Sequence, residues 1–190
     1  MTAPAPPAAA RVRPHFRHRP HSPSPPVTEI RRFHESDWPS VWPLLRETFA
    51  AGDTYTFPPG STEAEIHRAW VETPAATFVA CDPTGELVGT YYLKPNQPGG
   101  GAHVCNCGYV VAPQAQGRGV ATAMCEHSQA EAIARGFRAM QFNFVVATNE
   151  RAVRLWQALG FAVVGRLPGA FLHPRFGYVD ALVMFKALTG

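Results

Sequence analysis

The sequence predicts a single-domain α/β fold, a mixed sheet with helices on its faces. Three observations carry that expectation. Runs of strand length rich in β-branched and aromatic residues alternate with helical apolar stripes, in an order that is neither all-β nor a regular βαβ series. The short turn Asp82-Pro83-Thr84-Gly85 joins two of the runs and makes that pair antiparallel. The chain has 190 residues, 46% of them apolar, enough for one domain-sized core without a disulfide or metal staple.

The elements follow in order. Residues 28–33 read as a first short strand, and Ser36 or Asp37 caps a helix with Pro39 in its first turn that runs to about Ala50. A loop from Ala51 to Gly60 precedes Thr62 and Glu65, whose spacing is a capping box for a second helix ending near Thr73. Thr77–Cys81 and Glu86–Leu93 are the hairpin strands. After a Pro/Gly-rich loop comes a fourth strand, His103–Ala112, which Pro113 ends. The segment from about Gly117 to Arg135 has a helical stripe of small and apolar residues stopped by Gly136. Arg138–Ala147 is a fifth strand. Asn149 caps a helix with Ala152, Leu155, Trp156 and Leu159 on one face, and Gly160 ends it. Phe161–Leu167 and Tyr178–Lys186 complete about seven strands, leaving Pro168 to Gly177 as a loop.

Composition narrows the function. The net charge is +3, but residues 1–26 hold eight prolines, four arginines and no acid. That stretch cannot bury enough apolar surface to fold and is expected to be a disordered Pro/Arg-rich tail, with the domain as 27–190. Removing its four arginines leaves 13 basic against 14 acidic residues, so the domain is near neutral and nucleic acid is not the partner its charge calls for. No apolar run has the length of a secretory signal core or a membrane span, and a cytoplasmic protein is expected. Cys81, Cys105, Cys107 and Cys125 lack the density of a disulfide framework and the paired spacing of a zinc site, and reduced thiols follow. His103, Cys105 and Cys107 alternate on one strand without an evident fourth ligand; no metal is expected.

The chemistry is concentrated in Val111-Ala112-Pro113-Gln114-Ala115-Gln116-Gly117-Arg118-Gly119-Val120-Ala121, between a strand and a helix. Unpaired N–H groups at a helix start carry partial positive charge, and glycines let a pyrophosphate approach them. A P-loop would need Gly-Lys-Ser/Thr here, and a dinucleotide fingerprint would need Gly or Ala where Thr122 stands. The segment instead resembles the acetyl-CoA loop of the GCN5-related N-acetyltransferases, Q/R-x-x-G-x-G/A, through Gln114, Gly117 and Gly119. The family's next block, an Asn-capped helix ending in Leu-Gly-Phe, is matched by Asn149, Ala152, Leu159, Gly160 and Phe161.

This resemblance implies a mostly antiparallel sheet splayed between the fourth and fifth strands, with acetyl-CoA as co-substrate. Backbone amides of Gln116, Gly117, Arg118, Gly119, Val120 and Ala121 would cradle the pyrophosphate, with charge from Arg118. The backbone of Tyr109, Val110 and Val111 would hold the pantetheine arm and stabilise the oxyanion, and Asn149 would reach the cofactor. Family members often carry a Tyr acid at the position of Trp156, whose indole cannot usefully give up a proton.

Asn106 and Asn143 stand inside apolar strands, and a buried amide must be satisfied. With Gly108, Tyr109 and Asn149, and with the ending Tyr178-Val-Asp180-Ala-Leu-Val-Met184, this pattern resembles the azetidine-2-carboxylate (proline-analogue) N-acetyltransferases. The resemblance implies that Asn106 binds the acceptor carboxylate, that amides at Asn143 and Phe144 assist, and that Tyr109 and Asn143 act in catalysis. Tyr55 and Asp53 on the first inter-helix loop, and His173 opposite, would border the acceptor. The expected activity is acetyl transfer to the amine of a small amino acid or analogue. Acetylation of a protein N-terminus and a non-catalytic acyl-CoA-binding domain are the alternatives, and a homodimer is implied by the family alone.

Overall fold

The computed structural model describes residues 29–189, so the segment 1–26 expected to be a tail lies outside the described residues. Seven strands form one sheet in the order β1-β2-β3-β4-β5-β7-β6. They are β1 Glu29–Arg32, β2 Ala76–Cys81, β3 Leu87–Pro95, β4 Val104–Val111, β5 Ala139–Val146, β6 Ala162–His173 and β7 Gly177–Ala187. All neighbours are antiparallel except β4 and β5. The helices are α1 Trp38–Ala51, α2 Glu63–His67, α3 Val120–Ala134 and α4 Glu150–Ala158.

Two consecutive residues of β3 show how the helices divide. Tyr91 bonds His127 on α3 at 2.6 Å, and the ring of Tyr92 meets Trp70 edge-on at 4.8 Å. Successive side chains of a strand point to opposite faces, so α3 covers one face and the α1–α2 layer the other. Trp70, Tyr91, Leu45, Ile66, Met124 and Met140 are almost completely buried between these layers, each large apolar side chain contributing roughly 1.5–3 kcal/mol. The polar atoms carried inward are matched. The Trp70 indole donates to Thr90 Oγ1 at 3.1 Å, and Thr90 Oγ1 donates to the Phe78 carbonyl at 2.9 Å.

Three predicted boundaries move. The capping box forms, with Thr62 N–H donating to Glu65 Oε2 at 2.7 Å, but the helix widens into a π turn at Arg68–Glu72 instead of continuing regularly. The helix after the glycine loop starts at Val120, because Gly117 and Gly119 take φ of 80° and 82°. The sixth strand does not end at Leu167; it passes an irregularity between Leu167 and Phe171 and runs on to His173. Pro168 is tolerated there because β6 is the sheet edge, and Asp180 Oδ1 accepts the Gly169 N–H at 2.9 Å.

The feature that positions the site is the short β4–β5 seam. Only Val104↔Ala139 and Cys105↔Met140 pair before the strands part. Asn106 Nδ2 then donates to the Gln141 carbonyl at 2.9 Å, a side chain standing in for the next rung. Beyond it the gap opens. On its far side β5 is irregular against β7 between Phe142 and Val145, so Asn143 and Phe144 sit in a bulge.

Candidate functional site

A cavity of about 690 Å³ runs along β4 at the mouth of the gap, walled by α1, the α1–α2 loop and α4, and reaches the start of α3. It lies within the size range of small-molecule sites. A side compartment of about 130 Å³ shares Tyr55, Tyr109, Asn149 and Trp156 with it and is closed by Phe142, Phe144 and Val145.

At the outer end two helices begin. Gly119 precedes α3 in a left-handed conformation, and the first helical N–H to find an i−4 partner is that of Ala123, which bonds the Gly119 carbonyl at 3.0 Å. The N–H groups of Val120, Ala121 and Thr122 are therefore left for a ligand. Of the expected cradle, the Gln116 and Arg118 N–H groups already close turns onto Pro113 and Ala115, both at 3.3 Å. Asn149 caps α4, its side chain accepting from Ala152 N–H at 3.2 Å, and it also lines the cavity. The two helix starts and one cation make this end electropositive.

The cation is not the expected one. Arg118 is exposed and absent from the cavity wall, whereas Arg151 lines it and donates to Gln116 Oε1 at 3.3 Å. Arg151 lies one residue into α4, where the helix dipole disfavours positive charge. That unfavourable placement beside the glycine loop is the feature of the sequence that could have singled out Arg151.

Along the gap, β4 presents its main chain. The Tyr109 carbonyl accepts from the Tyr55 hydroxyl at 2.8 Å, so it faces away from β3. In an antiparallel ladder a residue's N–H and C=O point the same way, which turns the Tyr109 N–H into the gap and, two residues on, the Val111 N–H as well. The Tyr109 side chain goes to the α3 face, where its hydroxyl meets Ser128 Oγ at 2.7 Å and its ring lies 5.2 Å from that of Trp156. Burial pushes the Tyr109 and Tyr55 phenols well above their ordinary pKa, so both stay protonated. The Trp156 indole nitrogen has no hydrogen-bond partner among the described residues and is not sealed from solvent, and the residue lines both compartments.

The paired asparagines part company. Asn106 is buried, but its amide is committed to Gln141 and, as acceptor, to Tyr92 Oη at 3.1 Å, and it lines neither compartment. Asn143 was expected to be buried; the bulge turns it outward, and it is exposed, donating to Asn96 Oδ1 at 2.6 Å. Phe144 does line the inner compartment, as do Tyr109, Tyr55 and Asn149. Asp53 lines the outer cavity, together with Glu47 and Thr48 of α1, which sequence reasoning missed. His173 lies elsewhere, buried beneath Phe176 and accepting the Arg175 N–H at 3.1 Å. Among the described residues no cluster of three metal-ligating side chains exists, and no helix is long and apolar enough to cross a membrane. All four cysteines are free and buried.

The sequence profile of the acetyltransferase (GNAT) family matches residues 38–161, from the start of α1 through the end of the α4 block. The chain belongs to this family. The enzyme class and the acetyl-CoA donor expected from the glycine loop are those of the family, and the fold expected from it is the one found. A GCN5-related N-acetyltransferase from Kribbella flavida is similar at 43% identity and TM-score 0.81, over 87% of this chain and 99% of that one. A phosphinothricin acetyltransferase from Sinorhizobium meliloti, solved with AcCoA, shares the fold at TM-score 0.74 and 21% identity, over 85% of this chain and 89% of that one. N-acetyltransferase aca1 of Schizosaccharomyces pombe is 35% identical over 111 residues, 58% of this chain and 53% of that protein. The chain thus spans about half the length of that curated relative.

Proposed function

We propose that this acetyltransferase moves the acetyl group of acetyl-CoA to the amine of a small amino acid or amino-acid analogue. The observation that carries the small acceptor is the inner compartment, about 130 Å³ and walled by Tyr55, Phe142, Phe144 and Trp156 with no ionisable acid or base but the protonated tyrosines. The S. meliloti relative, by its name an acetyltransferase of phosphinothricin, is consistent with it. Within this reading a cyclic proline analogue such as azetidine-2-carboxylate is the narrowest acceptor class.

The N–H groups of Gly117, Gly119, Val120 and Ala121 hold the pyrophosphate, with Arg151 adding charge. The pantetheine arm lies along Tyr109, Val110 and Val111. The acceptor amine attacks in its neutral form, its nitrogen bonding the acetyl carbon while the carbonyl oxygen takes up negative charge. A gap-facing N–H of β4 meets that oxyanion as a donor already fixed in place. Collapse breaks the carbon–sulfur bond, releases CoA thiolate, and passes the amine's proton to water. The Trp156 N–H offers the departing sulfur a hydrogen bond without transferring its proton. A free thiol has a pKa of about 8.5, so the thiolate is a tolerable leaving group without an acid.

A thiol-release assay with acetyl-CoA tests this against free amino acids, azetidine-2-carboxylate, phosphinothricin and short peptides. Acceleration by one or more of the small acceptors, above the peptides, is expected. Acceleration by peptides alone overturns the small-acceptor reading, and acetyl-CoA binding without acceleration by any amine overturns the enzyme.

A further inference from the structure

An amino acid brings a carboxylate as well as an amine, and the partner expected for it, Asn106, is committed within the protein. Neither compartment offers a substitute. The inner one has no cation; in the outer one Glu47 and Asp53 would repel a carboxylate, and Arg151 stands at the glycine loop.

The chain has two lysines. Lys186 is committed, its Nζ donating to Gln129 Oε1 and, at 2.7 Å, to the Leu159 carbonyl. Lys94 of β3 is different. Among the described residues it has no acidic partner, and its Nζ stands 5.3 Å from the centre of the Tyr92 ring. A half-buried cation held only by an aromatic face is available to an anion. The strand register places it. Tyr92 pairs with Gly108 and Lys94 with Asn106, so both side chains lie on the α1–α2 face of the sheet. The Tyr92 ring covers Gly108, a wall of the inner compartment, with Cε1 2.6 Å from the place of a Cβ. Lys94 therefore stands one ring's breadth from that compartment, on the face away from α3. Two amides lie beside it: Asn96, two residues along, accepts at 2.6 Å from Asn143 in the bulge of β5.

We propose that Lys94 receives the carboxylate of the acceptor amino acid, an inference that rests on the small-acceptor reading above. In an α-amino acid the nitrogen and the carboxylate oxygens are only about 3 Å apart. An acceptor whose amine enters the gap beside Tyr109 thus keeps its acid near the rim, and the flexible lysine stem lets Nζ leave the ring and meet it. The reverse orientation would bury the acid against Phe142, Phe144 and Trp156 without a counter-charge. The two anionic ligands are then kept apart, phosphates at the starts of α3 and α4 and the carboxylate on the other face of the sheet.

Steady-state kinetics separates this inference from the reading beneath it. The probes are an amino acid that accelerates thiol release, azetidine-2-carboxylate being the first tried, and its amide, in which a neutral group replaces the carboxylate. Lys94→Met is expected to raise the KM of the acid about five- to tenfold, as for a charge-assisted contact at a half-exposed site. The kcat, the KM of acetyl-CoA and the KM of the amide should stay within about twofold of wild type, because only the carboxylate loses a partner. Lys94→Arg, which keeps the charge, should restore most of the affinity for the acid. Should Lys94→Met fail to fold, Lys94→Gln carries the same test. An unchanged KM for the acid in a folded variant overturns the proposal, as does an equal rise for the amide or a loss confined to kcat. Thiol release with no amino acid at all in the wild type overturns the acceptor reading, and this proposal with it.

Discussion

The hydroxyl of Tyr55 donates to the carbonyl oxygen of Tyr109 at 2.8 Å, across 54 residues of chain. One bond thereby fastens the α1–α2 loop to the strand whose main chain lines the cleft. It also fixes the plane of the peptide beside the Tyr109 N–H. Removing the hydroxyl leaves the packing of Tyr55 against Phe49 and Trp70 intact. Tyr55→Phe is expected to lose about 1 kcal/mol of stability. It should also lower kcat by about tenfold, as expected where a transition-state donor loses its alignment. Denaturant melts and steady-state kinetics check the two effects; an unchanged kcat would detach Tyr55 from the chemistry.

Arg151, not Arg118, supplies the side-chain cation at the glycine loop. Arg151→Ala is expected to weaken acetyl-CoA binding about five- to tenfold, the value of a charge-assisted bond discounted for exposure. Arg118→Ala should change it less than twofold. Titration calorimetry at two salt concentrations compares them, and equal losses would contradict the geometry.

Gly108 stands where a side chain cannot. A Cβ there would come within 2.6 Å of Tyr92 Cε1. Moving that ring breaks the Tyr92–Asn106 hydrogen bond and disturbs the bridge that closes the seam. Gly108→Ala is expected to destabilise by about 1–3 kcal/mol, the range for overpacking a tight site. Gly60→Ala, with open space around it, is the neutral comparison in the same thermal melts.

Acid should expose one ion pair. Hydrogen bonds from Arg31, at 2.7 and 2.8 Å, hold the Asp37 carboxyl below its ordinary pKa, and the His34 N–H adds to them. A depressed pKa contributes stability that is complete above the unfolded value and is lost as pH falls through the folded one. Asp37→Asn should therefore lower the Tm at pH 7, by the equivalent of about 1 kcal/mol for a partly exposed pair. The difference should shrink as pH drops below about 4. A pH-independent difference would assign the loss to packing instead.

Local features of the sequence carried the most information. Gly117, Gly119, the capping box at Thr62 and the Asn149 cap each depend on residues a few positions apart, and each formed where expected. What was not legible depends on register between distant strands. Whether Asn143 points inward is decided by a bulge against β7, more than 35 residues later, and whether Asn106 is free for a ligand is decided by where β5 stops pairing. The polar character of both was visible, but their partners were not. Likewise, Pro168 and Gly169 looked like the end of a strand because nothing local shows that β6 is an edge, where a proline costs no ladder bond.

The cleft between β4 and β5 presents mainly peptide groups, at Tyr109, Val111 and the entry to α3. A peptide group is the same whatever side chain it carries. Mutation can therefore alter most of the residues along this cleft without altering the donors it offers. Few positions, chiefly the glycines of the loop, need a fixed identity. Such a site tolerates extensive drift in sequence, while the side compartment, built from Tyr55, Phe142, Phe144 and Trp156, does not share that immunity. On the proposed assignment of the cleft to the donor and the side compartment to the acceptor, donor recognition should be inherited in lineages built on this framework, and acceptor choice should diverge by single substitutions.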